Sequence, residues 1–295
     1  MWPLTLPVCE ISFRFGSFDS KARLKLLSQT GKAGQHIDVA AATELGIAIA
    51  EGVGSPTAPA ELTWALVMAA QRKIVPYAQH LKEGLWQTAS IEPALNTLGS
   101  TLQGRTLAIW GYGRIGQLVA GYGRAFGMRV LVWGSEASRA AAVAAGDTAA
   151  ASREELFAQA DVLSLHLRLS DATRGIVTAS DRARMQPTAL FVNTRRAELV
   201  ADGALEAALQ QGRPGAAALD VFTEEPLPPT SLLLQLPNVL ATPHLGYVEQ
   251  DSYALYFRYA LQNIVDFAQG QCTRLLNPAV LAHARQQAFR NAGNP

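Results

Sequence analysis

The segment Thr106–Gly116, which reads TLAIWGYGRIG, decides the fold of this chain. Its first five residues form an apolar run typical of a buried strand, and the apolar pattern from Ile115 to Phe126 predicts a helix after it. Between them stands Gly-x-Gly-x-x-Gly, in which the glycines allow a tight turn, admit a pyrophosphate to the backbone amides and let helix and strand pack closely. The segment therefore predicts a dinucleotide-binding loop made of Gly111, Tyr112, Gly113, Arg114, Ile115 and Gly116.

Strands and helices alternate after this loop. Arg129–Trp133 is a predicted strand, Ala137–Ala145 a predicted helix, and the Ser-x-x-Glu pattern at Ser152 predicts a helix start. Further strands are predicted at Asp161–Leu165, Leu190–Asn193, Ala216–Asp220 and Val239–Ala241. This alternation is typical of a doubly wound parallel sheet, the Rossmann class of α/β fold. Methyl transferases that bind S-adenosylmethionine also use such a loop and are the main alternative at this point.

The chain before Gly104 has a different pattern. Leu24–Gln29 and Ile47–Ala50 are predicted strands, and Ala60–Gly84 is a predicted helix that Pro76 kinks. A crossing between two domains is predicted within Thr88–Gln103. A long helix over residues 248–270 is predicted to carry the chain back to the first domain.

Composition narrows the function classes. The chain has 295 residues, 49% hydrophobic and 17% charged, with a formal net charge of +1, so it offers no broad attraction for nucleic acid or anionic lipid. Cys9 and Cys272 are its two cysteines, which argues against a disulfide framework or a cysteine-rich metal site and fits a reducing cytoplasm. Met1–Ser12 lacks the features of a secretory signal, and the longest apolar run is too short to span a bilayer. We expect a cytoplasmic protein with a small ligand and no metal.

The ribose end of the predicted dinucleotide site lacks the usual acid. In the NAD-binding version an acidic residue ends the second strand, and here Gly134 stands at that place, with Glu136 two residues later. Ser135, Ser138 and Arg139 follow and could receive a ribose 2′-phosphate. They could equally form a solvated helix cap, so both interpretations stay open.

Three predicted strands end in reactive side chains. These ends read Asn193-Thr194-Arg195-Arg196, Asp220-Val221-Phe222-Thr223-Glu224-Glu225-Pro226 and Thr242-Pro243-His244. Loops after the carboxyl ends of parallel strands line the ligand crevice, so an arginine, a carboxylate and a histidine could converge beside a cofactor. Taken singly, each has an ordinary structural explanation: a solvated arginine pair, a turn glutamate and a satisfied core histidine.

Together and in this order, the glycine loop, Asn-Thr-x-Arg, Asp-Val-Phe-x-x-Glu-Pro and Thr-Pro-His resemble the D-isomer-specific 2-hydroxyacid dehydrogenase family. The resemblance covers about Leu24 to Pro278. It implies a Rossmann domain inserted in a smaller flavodoxin-like substrate domain, here apparently truncated, and a homodimer built on the cofactor domains. The implied boundaries are residues 1–90 for the substrate domain, 91–268 for the NAD(P)-binding domain and 269–295 for a returning segment.

The resemblance also implies roles. Arg196 would clamp the carboxylate and keto oxygen of the substrate, His244 would be the acid/base, and Glu225 would orient its imidazole. Asp220 would fix the nicotinamide end, beside Thr194. The turn Thr30–Gly34 resembles the substrate loop of the family, and its plain alternative is a turn before a helix capped by Asp38. The residues implied to contact substrate are Lys32, Ala33, Gly34, Arg196 and Tyr247.

Several positions depart from the family pattern. Ala197 replaces a usual glycine, Arg195 a small residue, Arg168 a proline, and Tyr247 a residue that is often small. Upstream, Met1–Arg23 shows no counterpart to the opening repeats of the substrate domain and resembles a replacement or a truncation.

We therefore predict an oxidoreductase of the glyoxylate/hydroxypyruvate reductase kind, which transfers a hydride between NAD(P)H and a small 2-keto acid. The cofactor is NAD or NADP, with a slight preference for NADP because an acid at position 134 would repel a 2′-phosphate. The rival hypothesis is a dinucleotide sensor or corepressor-like scaffold on the same fold, which the shortened front makes plausible. The remaining histidines and both cysteines are predicted to be structural or exposed.

Overall fold

A computed structural model describes residues 24–32, 37–92, 98–271 and 273–292. The strands in chain order are β1 Leu26–Ser28, β2 Ala48–Ala50, β3 Thr106–Trp110, β4 Arg129–Trp133, β5 Thr148–Ala149, β6 Val162–Leu165, β7 Leu190–Asn193, β8 Ala216–Leu219 and β9 Val239–Ala241. The helices are α1 Val39–Glu44, α2 Thr57–Gln71, α3 Ile74–Lys82, α4 Arg114–Ala125, α5 Glu136–Ala144, α6 Arg153–Gln159, α7 Ala179–Ala183, α8 Ala204–Gln210, α9 Leu232–Gln235, α10 Gln250–Ala268 and α11 Ala284–Ala292. The chain divides into two compact units, one formed by residues 56–248 and the other by the segments on either side.

The larger unit contains a parallel sheet in the order β5-β4-β3-β6-β7-β8-β9. This order confirms the predicted Rossmann class. Each of the six predicted strands is present within one residue of its expected end, because their apolar runs are buried on both faces of the sheet. The two-residue strand β5 was not predicted, since so short a segment has no periodic signal.

The order of the strands places the ligand crevice. The order in which strands are added reverses between β3 and β6: β4 and β5 lie on one side of this point, and β7, β8 and β9 lie on the other. Ligands of such sheets bind at the carboxyl ends of the strands beside this switch point. In register, Trp110 of β3 lies beside Leu165 of β6, which lies beside Asn193 of β7. The residues that follow these strands therefore share one edge of the sheet.

The long helix predicted over Ala60–Gly84, with a kink at Pro76, is two separate helices in the structure. The chain forms α2 and α3 with a break at Arg72 and Lys73, where Lys73 has a φ of 54°. The cause is Pro76, because a proline cannot donate to the carbonyl four residues earlier and its ring clashes with that carbonyl. The break therefore falls at Arg72, ahead of the proline itself.

The boundaries of the two compact units lie at other residues than the predicted domain boundaries. The first boundary falls between Ser55 and Pro56, ahead of the predicted crossing at Thr88–Gln103, and the second falls before Glu249. The reason is that α2 packs on the large sheet, with Leu66 and Val67 in the same apolar cluster as Leu107 of β3. The assignment of the units to substrate and cofactor binding stays a prediction.

The smaller unit pairs β1 with β2 in parallel. Asp38 caps α1 by accepting a hydrogen bond of 3.0 Å from the amide of Ala41. Asn277 holds the returning segment against β2, since its side chain accepts from the amide of Ile49 at 2.9 Å and donates to the carbonyl of Ile47 at 3.0 Å. Met1–Arg23 lies outside the described residues. In the part of the chain that is described, no helix has the length and apolar character that a membrane crossing requires.

Candidate active site

The glycine loop leaves room for a phosphate at one point and is tight at two others. A Cβ on Gly111, which has a φ of 101°, would lie 2.9 Å from the carbonyl oxygen of His166. A Cβ on Gly116 would overlap the carbonyl oxygen of Gly111. A Cβ on Gly113 would meet no atom within 4 Å, and the amino terminus of α4 begins at the next residue. The loop therefore fits the pyrophosphate of a dinucleotide, with open space in front of helical amides.

The loop is anchored from behind by Tyr112. Its side chain is buried, and its hydroxyl donates to Asp147 at 2.6 Å, while Arg124 donates to the same carboxylate at 2.7 Å. Burial, followed by the hydrogen bond to Asp147, raises the pKa of Tyr112. The tyrosine side chain thus holds the turn in place, and its carbonyl accepts from the side chain of Gln117 at 3.1 Å. Arg114 is exposed at the start of α4.

At the end of β4 the cationic group of Arg139 is held in place. Its guanidinium carbon lies 4.8 Å from the centre of the Trp133 ring, a cation–π distance. Its Nε atom is buried and has no hydrogen-bond partner among the described residues. Ser135 caps α5 by accepting from the amide of Ser138 at 3.2 Å, so the cap interpretation holds for this serine. Gly134 precedes this cap.

The turn after β7 is closed by Asn193. Its side-chain oxygen accepts from the amide of Arg195 at 3.0 Å, and its side-chain nitrogen donates to the carbonyl of Arg196 at 2.9 Å. Thr194 is buried, with its hydroxyl 2.7 Å from that of Thr63 on α2. Asn193 thus holds the backbone of this turn with both of its side-chain polar atoms. The side chain of Arg196 is exposed at the carboxyl edge of the sheet.

A buried carboxylate organises the segment after β9. Asp220, which follows β8, accepts hydrogen bonds from the Thr242 hydroxyl at 2.6 Å, the Leu245 amide at 2.7 Å and the Gly246 amide at 2.9 Å. Burial raises the pKa of Asp220, and these three hydrogen bonds act in the opposite direction. Both carboxylate oxygens are engaged within the protein, so Asp220 shapes the loop that carries His244.

His244 and Glu225 lie within hydrogen-bond distance, the one contact between a histidine and a carboxylate of the described residues that is short enough for an ion pair when the ring is protonated. Nδ1 of His244 lies 2.7 Å from Oε2 of Glu225, and Oε1 of Glu225 accepts from the amide of Phe222 at 2.9 Å. His244 has a φ of 53°, and its ring makes an edge contact with Tyr247 at 5.7 Å between centres. The carboxylate thus fixes the ring through Nδ1 and leaves Nε2 for another partner, which is the arrangement a proton donor needs.

The predicted substrate loop is described only in part. Lys32 lies in the smaller unit and forms an ion pair of 2.7 Å with Glu51, while Ala33 and Gly34 lie outside the described residues. Sequence reasoning missed Thr63 and named Thr242 only as part of the motif before His244, because a threonine in a helix or beside a proline has no local signal of a distant partner. Over residues 24–32, 37–92, 98–271 and 273–292, no group of three metal-ligating side chains comes together.

Comparison with known proteins places this geometry in a family. Residues 64–246 match the model of the D-isomer specific 2-hydroxyacid dehydrogenase, NAD binding domain. A glyoxylate reductase of Aeropyrum pernix is 38% identical over 269 residues, which span 90% of this chain and 80% of that protein. A D-3-phosphoglycerate dehydrogenase of Methanocaldococcus jannaschii is 38% identical over 225 residues, which span 76% of this chain and 42% of that protein.

A solved structure agrees with these matches. The phosphoglycerate oxidoreductase of Vibrio cholerae O395 is 55% identical, superposes with a TM-score of 0.78 and is matched over 84% of this chain and 78% of its own. The findings confirm the predicted fold, the nicotinamide dinucleotide cofactor and the reaction class, oxidoreduction between 2-keto and 2-hydroxy acids. This chain belongs to the D-isomer specific 2-hydroxyacid dehydrogenase family.

Proposed function

We propose that this enzyme reduces glyoxylate or hydroxypyruvate to the corresponding 2-hydroxy acid, with D stereochemistry where C2 is chiral. The observation that carries the proposal is the 2.7 Å pair of His244 and Glu225 on the same sheet edge as the open glycine loop. Relatives named glyoxylate reductase, and one named glyoxylate/hydroxypyruvate reductase B, support this substrate class. A sensor would have no need of a fixed proton donor.

The proposed mechanism assigns a step to each side chain. When bound, the reduced nicotinamide supplies the hydride for C2 of the keto acid. His244 gives the proton on Nε2 to the keto oxygen, and the proton on Nδ1 stays in its hydrogen bond with Glu225. Arg196 holds the substrate, because its planar guanidinium can donate to the carboxylate and the keto oxygen together. In oxidation His244 takes the proton back.

A substrate panel tests this function. We expect purified protein to oxidise NADH or NADPH with glyoxylate and hydroxypyruvate, and more slowly with pyruvate and phenylpyruvate. The measurement is the loss of absorbance at the reduced nicotinamide band, with dinucleotide binding recorded separately by fluorescence. Dinucleotide binding without turnover of any of these acids would refute the enzyme assignment and favour the sensor.

We propose NADPH as the preferred cofactor, with NADH also accepted. The support is Arg139, a cation stacked on Trp133 at the end of β4 with a buried Nε atom that lacks a partner among the described residues. Gly134, where an acid would repel a phosphate, adds no negative charge. A 2′-phosphate would supply the anion that this guanidinium lacks.

Replacing Arg139 with Leu is therefore expected to lower kcat/KM for NADPH by about 10-fold or more, the effect of one charge-assisted hydrogen bond, and to leave NADH within about twofold. The matched control is Arg184, an exposed arginine that follows α7. Gly134→Asp is a weaker test, because a Cβ there would lie 3.2 Å from the Cβ of Ser138. If the parent enzyme strongly prefers NADH and the Glu136→Ala variant loses that preference, Glu136 holds the ribose hydroxyls.

We also propose that the enzyme is a cytoplasmic homodimer built on the larger unit. Apolar side chains lie exposed after α3, with 68% of Trp86, 81% of Ile91 and 75% of Leu98 accessible. Soluble monomers rarely leave such a patch uncovered, and a second copy of the chain would bury it. Light scattering should give twice the chain mass for the parent and a smaller value for Trp86→Glu; an unchanged mass in that variant would place the interface elsewhere.

A further inference from the structure

Arg195 is a second cation beside Arg196, and its side chain extends in a different direction from that of Arg196. Its side chain is half-buried, and its Nε donates to the carbonyl of Leu167, 3.4 Å away, in the loop after β6. The guanidinium thus reaches from the end of β7 back toward β6. The side chain of Arg196 is exposed and donates from Nη1 to the carbonyl of Arg195 at 2.9 Å.

The loop that Arg195 reaches is in contact with the glycine loop. The peptide between His166 and Leu167 packs on Gly111 so closely that a Cβ there would lie 2.9 Å from the His166 carbonyl and 3.0 Å from the Leu167 amide. The carbonyl that accepts from Arg195 belongs to the next peptide. Arg195 therefore reaches the loop after β6 that packs on Gly111, at the switch point between β3 and β6.

Arg195 has no carboxylate partner among the described residues. Within the described ranges, neither Arg195 nor Arg196 forms an ion pair. His166 is buried, and burial followed by the charge of Arg195 lowers its pKa to about 3, so its ring is neutral and supplies no counterion. Burial and the charge of Arg196 also lower the pKa of Arg195. A half-buried cation without a counterion is costly unless a ligand supplies one.

We propose that Arg195 is a cofactor-binding residue that contacts the anionic pyrophosphate and ribose part of the dinucleotide from the β6 side of the site. A second anionic group on the substrate is the other conceivable partner. The sheet order argues against it, because Glu225 and His244 follow β8 and β9, on the far side of β7 from the loop that Arg195 reaches. Arg195 would thus hold cofactor while Arg196 holds substrate.

Binding measurements on Arg195→Ser and Arg195→Lys test this assignment without relying on turnover. In Arg195→Ser the dissociation constants of NADH and of ADP-ribose are expected to rise together by about 10- to 100-fold, because a charge-assisted contact is lost. The dissociation constants of Arg195→Lys should lie between those of the parent and those of Arg195→Ser, because lysine keeps the charge and loses the planar fork. The affinity of the parent should also weaken more steeply with salt than that of Arg195→Ser.

The controls separate this proposal from the proposed function. Arg184→Ser should bind both ligands as the parent does, and in Arg195→Ser the KM for glyoxylate at saturating cofactor should rise less than the two dissociation constants do. Unchanged affinity for NADH and ADP-ribose in both Arg195 variants would overturn the proposal. A rise confined to KM for a dianionic keto acid such as oxaloacetate would likewise overturn it and assign Arg195 to the substrate. If the serine variant fails to fold, the lysine variant decides by the same two constants.

Discussion

Replacing His244 with Asn is expected to lower kcat by about 10²- to 10⁴-fold, the usual contribution of a positioned proton donor. Asn is the better replacement than Ala because His244 has a φ of 53°, a conformation that Asn tolerates more readily than most residues. The loop itself should persist, since Asp220 holds it through the amides of Leu245 and Gly246 and not through the histidine ring.

The measurement is steady-state turnover together with the dissociation constant of NADH. We expect the latter to stay within twofold in His244→Asn. Glu225→Gln is the graded companion, because it keeps the size of the side chain and removes the charge that faces Nδ1 at 2.7 Å. Turnover close to that of the parent in His244→Asn would exclude this residue as the proton donor.

Replacing Arg196 with Ala is expected to lower kcat/KM for the keto acid by about 10²- to 10³-fold. The guanidinium is exposed at the carboxyl edge and free of ion pairs among the described residues, so its removal leaves no buried charge behind. Its role in the proposed mechanism is to donate to two substrate oxygens, and the loss should therefore affect KM as well as kcat.

Arg196→Lys should recover only part of the loss, because an ammonium lacks the fork that donates to two acceptors at once. Arg184→Ala serves as the control for loss of an exposed positive charge elsewhere on the larger unit. Equal kcat/KM in the parent and in Arg196→Ala would remove this residue from the substrate site. An effect on NADH affinity alone would place it with the cofactor.

Local sequence was enough for the sheet and for the glycine loop. The strand of Thr106–Trp110 and the glycines after it are recognisable because apolar runs, turn residues and helix starts act over a few neighbouring positions. The same holds for Ser152, which caps α6 as predicted by accepting from the amide of Glu155 at 3.1 Å. The family motifs lie on these elements, which is why the reaction class could be predicted as well.

Other features depend on residues that are distant in sequence. The helix predicted with a kink at Pro76 breaks earlier, at Arg72, and α2 belongs to the larger unit because it packs on the sheet. Glu225 could be proposed from its motif, but the 2.7 Å distance to His244 is a property of the folded chain. These contacts join segments tens of residues apart, and no local pattern specifies the distance between them.

The amino-acid sequence by itself predicted six strands of the large sheet and the place of the dinucleotide loop, because each follows from residues close together in the chain. The candidate reactive side chains were predicted from the order of their motifs and the family resemblance. Only the tertiary structure decided which hydrogen bonds those side chains form and which of them stay exposed. It shows that Asp220 uses both oxygens to shape the His244 loop and that Arg195 reaches toward β6 while Arg196 stays exposed. The physical reason is that hydrogen bonding and burial depend on which strand ends become neighbours, and only the packed sheet brings them together.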